Sequence, residues 1–193
     1  MLRQLSILSF CAVILLSPTQ GSANKTVNQI IQDSEVEYDV YQKHPGSWRG
    51  EHPKKKAADA LYKLIPTLTQ IDEIDLAGRT AYTYYADIRG LINITDCSGP
   101  TKKAAERIDD LIPTLKTVSE TAKAGDLAFN LFIGSRGDCS GPITKAKSRM
   151  RELLVKMKTV QELYDAHKVL ETYKWNDYAV VRRLAAELMS ELK

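Results

Sequence analysis

One stretch of this chain is written twice. Residues 53–90 lie over residues 100–137 without a gap, and 16 of the 38 positions are identical. The shared core is Leu64-Ile65-Pro66-Thr67-Leu68 over Leu111-Ile112-Pro113-Thr114-Leu115. Ala77-Gly78 falls over Ala124-Gly125, and Arg89-Gly90 over Arg136-Gly137. A fainter third copy opens at Pro142, after Cys139-Ser140-Gly141 has repeated Cys97-Ser98-Gly99. Self-similarity at an interval of 42 to 47 residues marks stacked supersecondary units, none of which can bury its apolar face alone.

The unit reads as helical. From Pro53, apolar residues fall at Ala57, Ala60, Leu61, Leu64, Ile65, Leu68 and Ile71; from Pro100 and Pro142 the same steps of three and four recur. Each helix opens with proline in its first turn, where a missing N–H costs nothing. Pro66 and Pro113 fall deep inside this periodicity, where proline removes a backbone bond and clashes with the preceding turn, so two kinked helices are expected. The third copy has Val155 there and predicts a straighter helix. A second helix follows in each unit, through Ala77-Gly78 or Ala124-Gly125 to a glycine cap. The expectation is an all-α fold: an array of two to three helical-hairpin repeats, about six to eight helices, with a degenerate C-terminal unit. Repeats are placed at approximately 53–96, 100–138 and 142–192 within a domain spanning 52–193. Residues 24–51 precede it as an N-terminal helix and loop.

Residues 1–23 read as a signal peptide. Arg3 is its positive region, Leu5 to Leu16 its apolar run, and Gly21-Ser22-Ala23 its small-residue end; the run is too short for a membrane span. The expected protein is therefore secreted, roughly 170 residues long and near neutrality, since the whole chain carries only +3 and its leader has one basic residue and no acid. No transmembrane segment is expected after cleavage. Cys11 leaves with the leader. Cys97 and Cys139, each in Cys-Ser-Gly-Pro, then form an even pair in an oxidising compartment and read as a disulfide, which would contribute about 4 kcal/mol in the chain-entropy model. Asn24 and Asn93 head glycosylation sequons.

No motif of catalysis stands out. His44, His52 and His167 lack partners at metal-ligand spacing, no nucleophile elbow or phosphate loop is present, and paired acids such as Asp109-Asp110 read as solvated helix faces. A non-enzyme without cofactor or metal is expected. Two features remain. Lys54, Lys55 and Lys56, Lys102 and Lys103, and Lys145 with Lys147 sit at helix starts, where cations oppose the helix dipole. Together with Arg149 and Arg151 they are candidates for a polyanion-binding ridge; Glu51, Asp96 and Asp138 offer local neutralisation instead. Tyr82, Tyr85, Phe129 and Phe132 occupy equivalent positions and are candidates for core or for a ligand pocket. The function read from the sequence is thus a secreted binding or effector protein acting through a helical surface. Its partner would be an extracellular protein or a sulfated glycan, with nucleic acid the poorer fit. A carrier of a small hydrophobic ligand in an interhelical pocket is the alternative.

Overall fold

A computed structural model describes residues 26–89, 99–135, 140–173 and 178–192. They form eight α-helices: α1 (Val27–Lys43), α2 (Pro53–Leu64), α3 (Ile71–Ile88), α4 (Gly99–Leu111), α5 (Val118–Ser135), α6 (Ser140–Leu154), α7 (Val160–Thr172) and α8 (Ala179–Glu191). No strand occurs among the described residues. No helix there is long and apolar enough to cross a membrane.

The helices pack in two layers. α1, α3, α5 and α7 touch in succession on one side. On the other, α4 packs on the turn that ends α2, α6 on α4, and α8 on α6. Nearly all consecutive helices meet across the layers. The apolar stripe read from the sequence faces this seam: Pro53, Ala57, Ala58, Leu61 and Ile65 are buried in the first copy, and Pro100, Ala104, Ala105, Ile108 and Ile112 in the second. Each fully buried Leu or Ile contributes roughly 1.5–3 kcal/mol. Alanine is nevertheless the commonest residue of the core, so the helices lie close together.

The prolines act differently from the sequence expectation. They end their helices where kinks were expected. α2 stops at Leu64 and α4 at Leu111; Ile65–Thr67 and Ile112–Thr114 are single 3-10 turns. Leu68 and Leu115 are then extended, with ψ near 145° (145 and 144). Proline cannot supply the N–H that the next α-helical turn needs. The threonine that follows closes the end: Thr67 Oγ1 donates to the Leu64 carbonyl at 2.8 Å, and Thr114 Oγ1 to that of Leu111 at 2.7 Å. Ile71 and Val118, which the periodicity had placed on the first helices, open α3 and α5. α6 ends within one residue of the equivalent point, at Leu154, although Val155 replaces the proline. Capping favours the reversal there: Thr159 Oγ1 accepts from the Glu162 amide at 3.2 Å, and Glu162 Oε2 accepts from the Thr159 amide at 3.1 Å. Thr117 caps α5 by accepting from the Glu120 amide at 3.1 Å.

Gly78 and Gly125 set the spacing of α3 from α4 and of α5 from α6. A Cβ on Gly78 would stand 2.5 Å from the Ala104 Cβ and 3.3 Å from the Pro100 carbonyl oxygen. One on Gly125 would stand 2.6 Å from the Ala146 Cβ and 2.5 Å from the Tyr178 hydroxyl. Tyr178 is fully buried and donates to the Ala122 carbonyl at 3.3 Å, which fastens the start of α8 to α5. Gly78→Ala should gain up to about 1 kcal/mol of helix propensity but lose about 1–3 kcal/mol to overpacking, because the Ala104 Cβ is fixed to its backbone and cannot swing aside. A net loss of stability in urea denaturation is expected, and Ala104→Gly in the same chain should recover part of it.

Candidate binding surface

Helices α2, α4 and α6 carry no acid in their first turns, so their lysines face the positive end of the dipole uncompensated within the helix. The compensation comes mainly from neighbouring helices. Lys54 pairs with Asp87 of α3 at 2.5 Å, and its ammonium lies 4.5 Å from the ring centre of Tyr38 and 5.8 Å from that of Tyr84. Lys55 is held by Glu51 and, at 2.7 Å, by Asp59. Lys56 reaches Glu37 of α1 at 2.8 Å. Its counterparts reach back in the same way: Lys103 stands 3.9 Å over the ring of Tyr62 in α2, and Lys145 pairs with Asp109 of α4. Of the acids expected to neutralise the lysines locally, Glu51 does so; Asp96 and Asp138 lie outside the described residues.

Two arginines extend this pattern. Arg107 Nε donates to the Leu68 carbonyl at 3.0 Å. Arg149, at the matching place in α6, donates to the Leu115 carbonyl from Nε at 2.9 Å and from Nη2 at 2.8 Å, and pairs with Glu152 at 2.8 Å. Each arginine thus caps the extended residue that follows a proline turn, Leu68 or Leu115. Arg149 belonged to the candidate ridge. Arg107 did not, although an overlay of the third copy on the second places the two together. Asp109, read as part of a solvated pair, is mostly buried and receives Lys145.

The structure brings two of the nine candidate bases into one groove. Lys145 and Arg149 line a cleft of about 220 Å³ with Pro113, Thr144, Ser148 and Glu152. Arg151 is exposed on the same helix, and Lys102 is exposed on α4. Lys147 is half-buried.

The four aromatics part company. Tyr82 is 40% exposed and lines a second groove, of about 330 Å³, with Arg79, Thr83, Thr101, Asn130 and Leu131. Tyr85 instead donates its hydroxyl to Asp59 Oδ1. Burial, and then Asp59, push the Tyr85 phenol well above its usual range. Burial raises Asp59, but hydrogen bonds from Lys55 and Tyr85 outweigh it and leave the carboxyl below its ordinary value. Phe129 and Phe132 are half-buried against the core.

A further cluster escaped the sequence reading. Where α1 turns into α2, Tyr38, Tyr41, Trp48 and His52 stack into an aromatic corner, with Tyr41 and His52 ring centres 4.7 Å apart. These residues have no repeat counterpart and no motif spacing to reveal them. Cys97, Cys139, Asn24 and Asn93 lie outside the described residues. Among the described residues, no group of three or more His, Cys, Asp or Glu side chains could hold a metal ion. No family model, curated protein or solved structure matches this chain.

The arginine clamps and the exposed bases should separate in mutagenesis. Arg149→Met leaves a part-buried carbonyl without its charged donor and should cost about 1.5–3 kcal/mol in urea unfolding. Lys102→Met and Arg151→Met should stay within about 0.5 kcal/mol of the parent.

Proposed function

We propose that this chain is an exported, non-enzymatic binding protein whose body is an array of helical-hairpin repeats and whose outer surface engages an extracellular macromolecule. Recurrent lateral contacts support the repeat reading: Lys103 of α4 reaches α2, Lys145 of α6 reaches α4, and Arg107 and Arg149 cap the turns that follow α2 and α4. The apolar leader and the paired Cys-Ser-Gly-Pro segments support export with a disulfide.

The observation that carries the binding reading is the cleft along α6. Lys145, Arg149, Thr144 and Ser148 line it with two cations and two hydroxyl-bearing side chains, with exposed Arg151 on the same helix. The ligand class this favours is a polyanion such as a sulfated glycan, which would compete with Asp109 and Glu152 for the cations. Retention on heparin resin tests it. The wild-type chain should bind at low ionic strength and elute as salt rises. Ser148→Glu with Arg151→Glu places acids in and beside the cleft while leaving Lys145, Arg149 and their partners unsubstituted, and should elute distinctly earlier. Absence of wild-type retention would remove the polyanion and leave a protein partner as the form of the proposal.

The carrier reading rests on the groove at Tyr82, whose volume of about 330 Å³ is at the lower end for small-molecule sites. Arg79, Thr83 and Asn130 would favour a ligand with a polar head. Protein from its native source should then release an organic-soluble ligand, and Tyr82→Ala should lower the amount recovered severalfold.

A further inference from the structure

α1 is lightly held. Only Val27 and Ser34 of its 17 residues are buried, with Ile30 and Ile31 partly so, and Val36 is 67% exposed. Elements with so little buried apolar surface open at the lowest free energies in a fold. Besides the packing of Val27, Ile30 and Ile31, α1 is fastened by the aromatic corner at its C-terminal end and by two contacts to α2, Glu37 to Lys56 and the Tyr38 ring to Lys54.

His52 lies at the centre of that corner. It is the N-cap of α2, and its carbonyl accepts from the Lys56 amide at 3.0 Å. Its ring meets Tyr41 at 4.7 Å and Tyr38 at 5.8 Å, and Trp48 packs edge-on to Tyr41 at 5.9 Å. Trp48 is itself pinned, its indole N–H donating to the Glu51 carbonyl at 3.1 Å. The Nδ1 atom of His52 is buried and has no hydrogen-bond partner. A neutral imidazole tolerates this. An imidazolium would need an acceptor for a proton on Nδ1, and the surroundings supply none ready. α1 contributes Tyr38 and Tyr41. α2 contributes the Lys54 ammonium. The Glu51 carboxylate is engaged by Lys55, and Asp87 of α3 by Lys54. Tyr84 of α3, with its phenol raised chiefly by burial, stays protonated. The positive end of the α2 dipole adds to the penalty.

We propose that protonation of His52 undocks α1 from α2 and α3, giving the chain a neutral form with α1 seated and a mildly acidic form with α1 released. The direction follows from linkage. Burial, and then Lys54, hold the seated imidazole below its ordinary value of 6.5, towards which it rises once α1 has left and that burial is relieved. The released form therefore binds the proton more tightly, and the seated form loses ground as pH falls through about 6.5.

Hydrogen exchange on the full chain at pH 7.4 and 5.5, corrected for the intrinsic rate, tests this. Peptides covering residues 27–43 should exchange severalfold faster at the lower pH while those from α4 and α5 hold. In a Trp175→Phe background, Trp48 emission should shift to the red over the same interval. His52→Gln should abolish the pH dependence of both, and His44→Gln should preserve it. The proposal is overturned if α1 exchange does not depend on pH, if the dependence survives in His52→Gln, or if all helices open together. Should His52→Gln not fold, NMR titration of the wild-type imidazole decides: a His52 midpoint at or above the ordinary histidine value overturns the proposal, and one below it that coincides with shifts in α1 supports it.

Discussion

The fold depends on a spacing set where no side chain stands. At Gly78 and Gly125 the odd helices come so near the next even helix that an added Cβ would collide with Ala104 or Ala146. That approach brings the lateral groups within reach. An arginine on α4 or α6 can touch a carbonyl of the turn that follows α2 or α4, and a lysine one turn earlier can touch α2 or α4 itself. Were the helices set apart by ordinary side chains, these polar contacts would open to water and lose most of their worth.

The lysines at the helix starts follow from the same geometry. Placed against a helix dipole, each is disfavoured by about 0.3–1 kcal/mol when exposed. Placed between helices, as Lys54, Lys56, Lys103 and Lys145 are, it meets an acid or an aromatic ring of a neighbour, which offsets that cost. Basic residues in this chain thus divide into two populations. Lys54, Lys56, Lys103, Lys145, Arg107 and Arg149 tie helix to helix. Lys102 and Arg151 stand exposed. The cleft on α6 is the groove that gathers two of the tying bases, Lys145 and Arg149.

Much of the architecture was legible because two alignments spoke together: the internal match and the three-four apolar rhythm. Helix class, the burial of Ala57, Leu61, Ile65 and their counterparts, and the proline-first starts could be read off directly. The turns were misread because apolar residues continue in phase past Pro66 and Pro113, and a periodicity carries no signal for the residue at which a helix stops. The Thr117–Glu120 and Thr159–Glu162 spacings did mark the following starts. For the surface, sequence could flag the lysines but could not say which would be engaged, since Glu37, Tyr62 and Asp109 come into range only through packing. The corner at His52 was invisible for the same reason: Tyr38, Tyr41, Trp48 and His52 are brought together by one reversal of the chain.

The alanine-rich seam has a mechanical implication. Leucine or isoleucine can answer a neighbour's shift by changing rotamer, whereas alanine has no torsion with which to yield. Where helices meet through Gly78, Ala104, Gly125 and Ala146, a push on one must be taken up as rigid travel of the next. A force applied at either end of the stack would be transmitted along it as a displacement of whole rods.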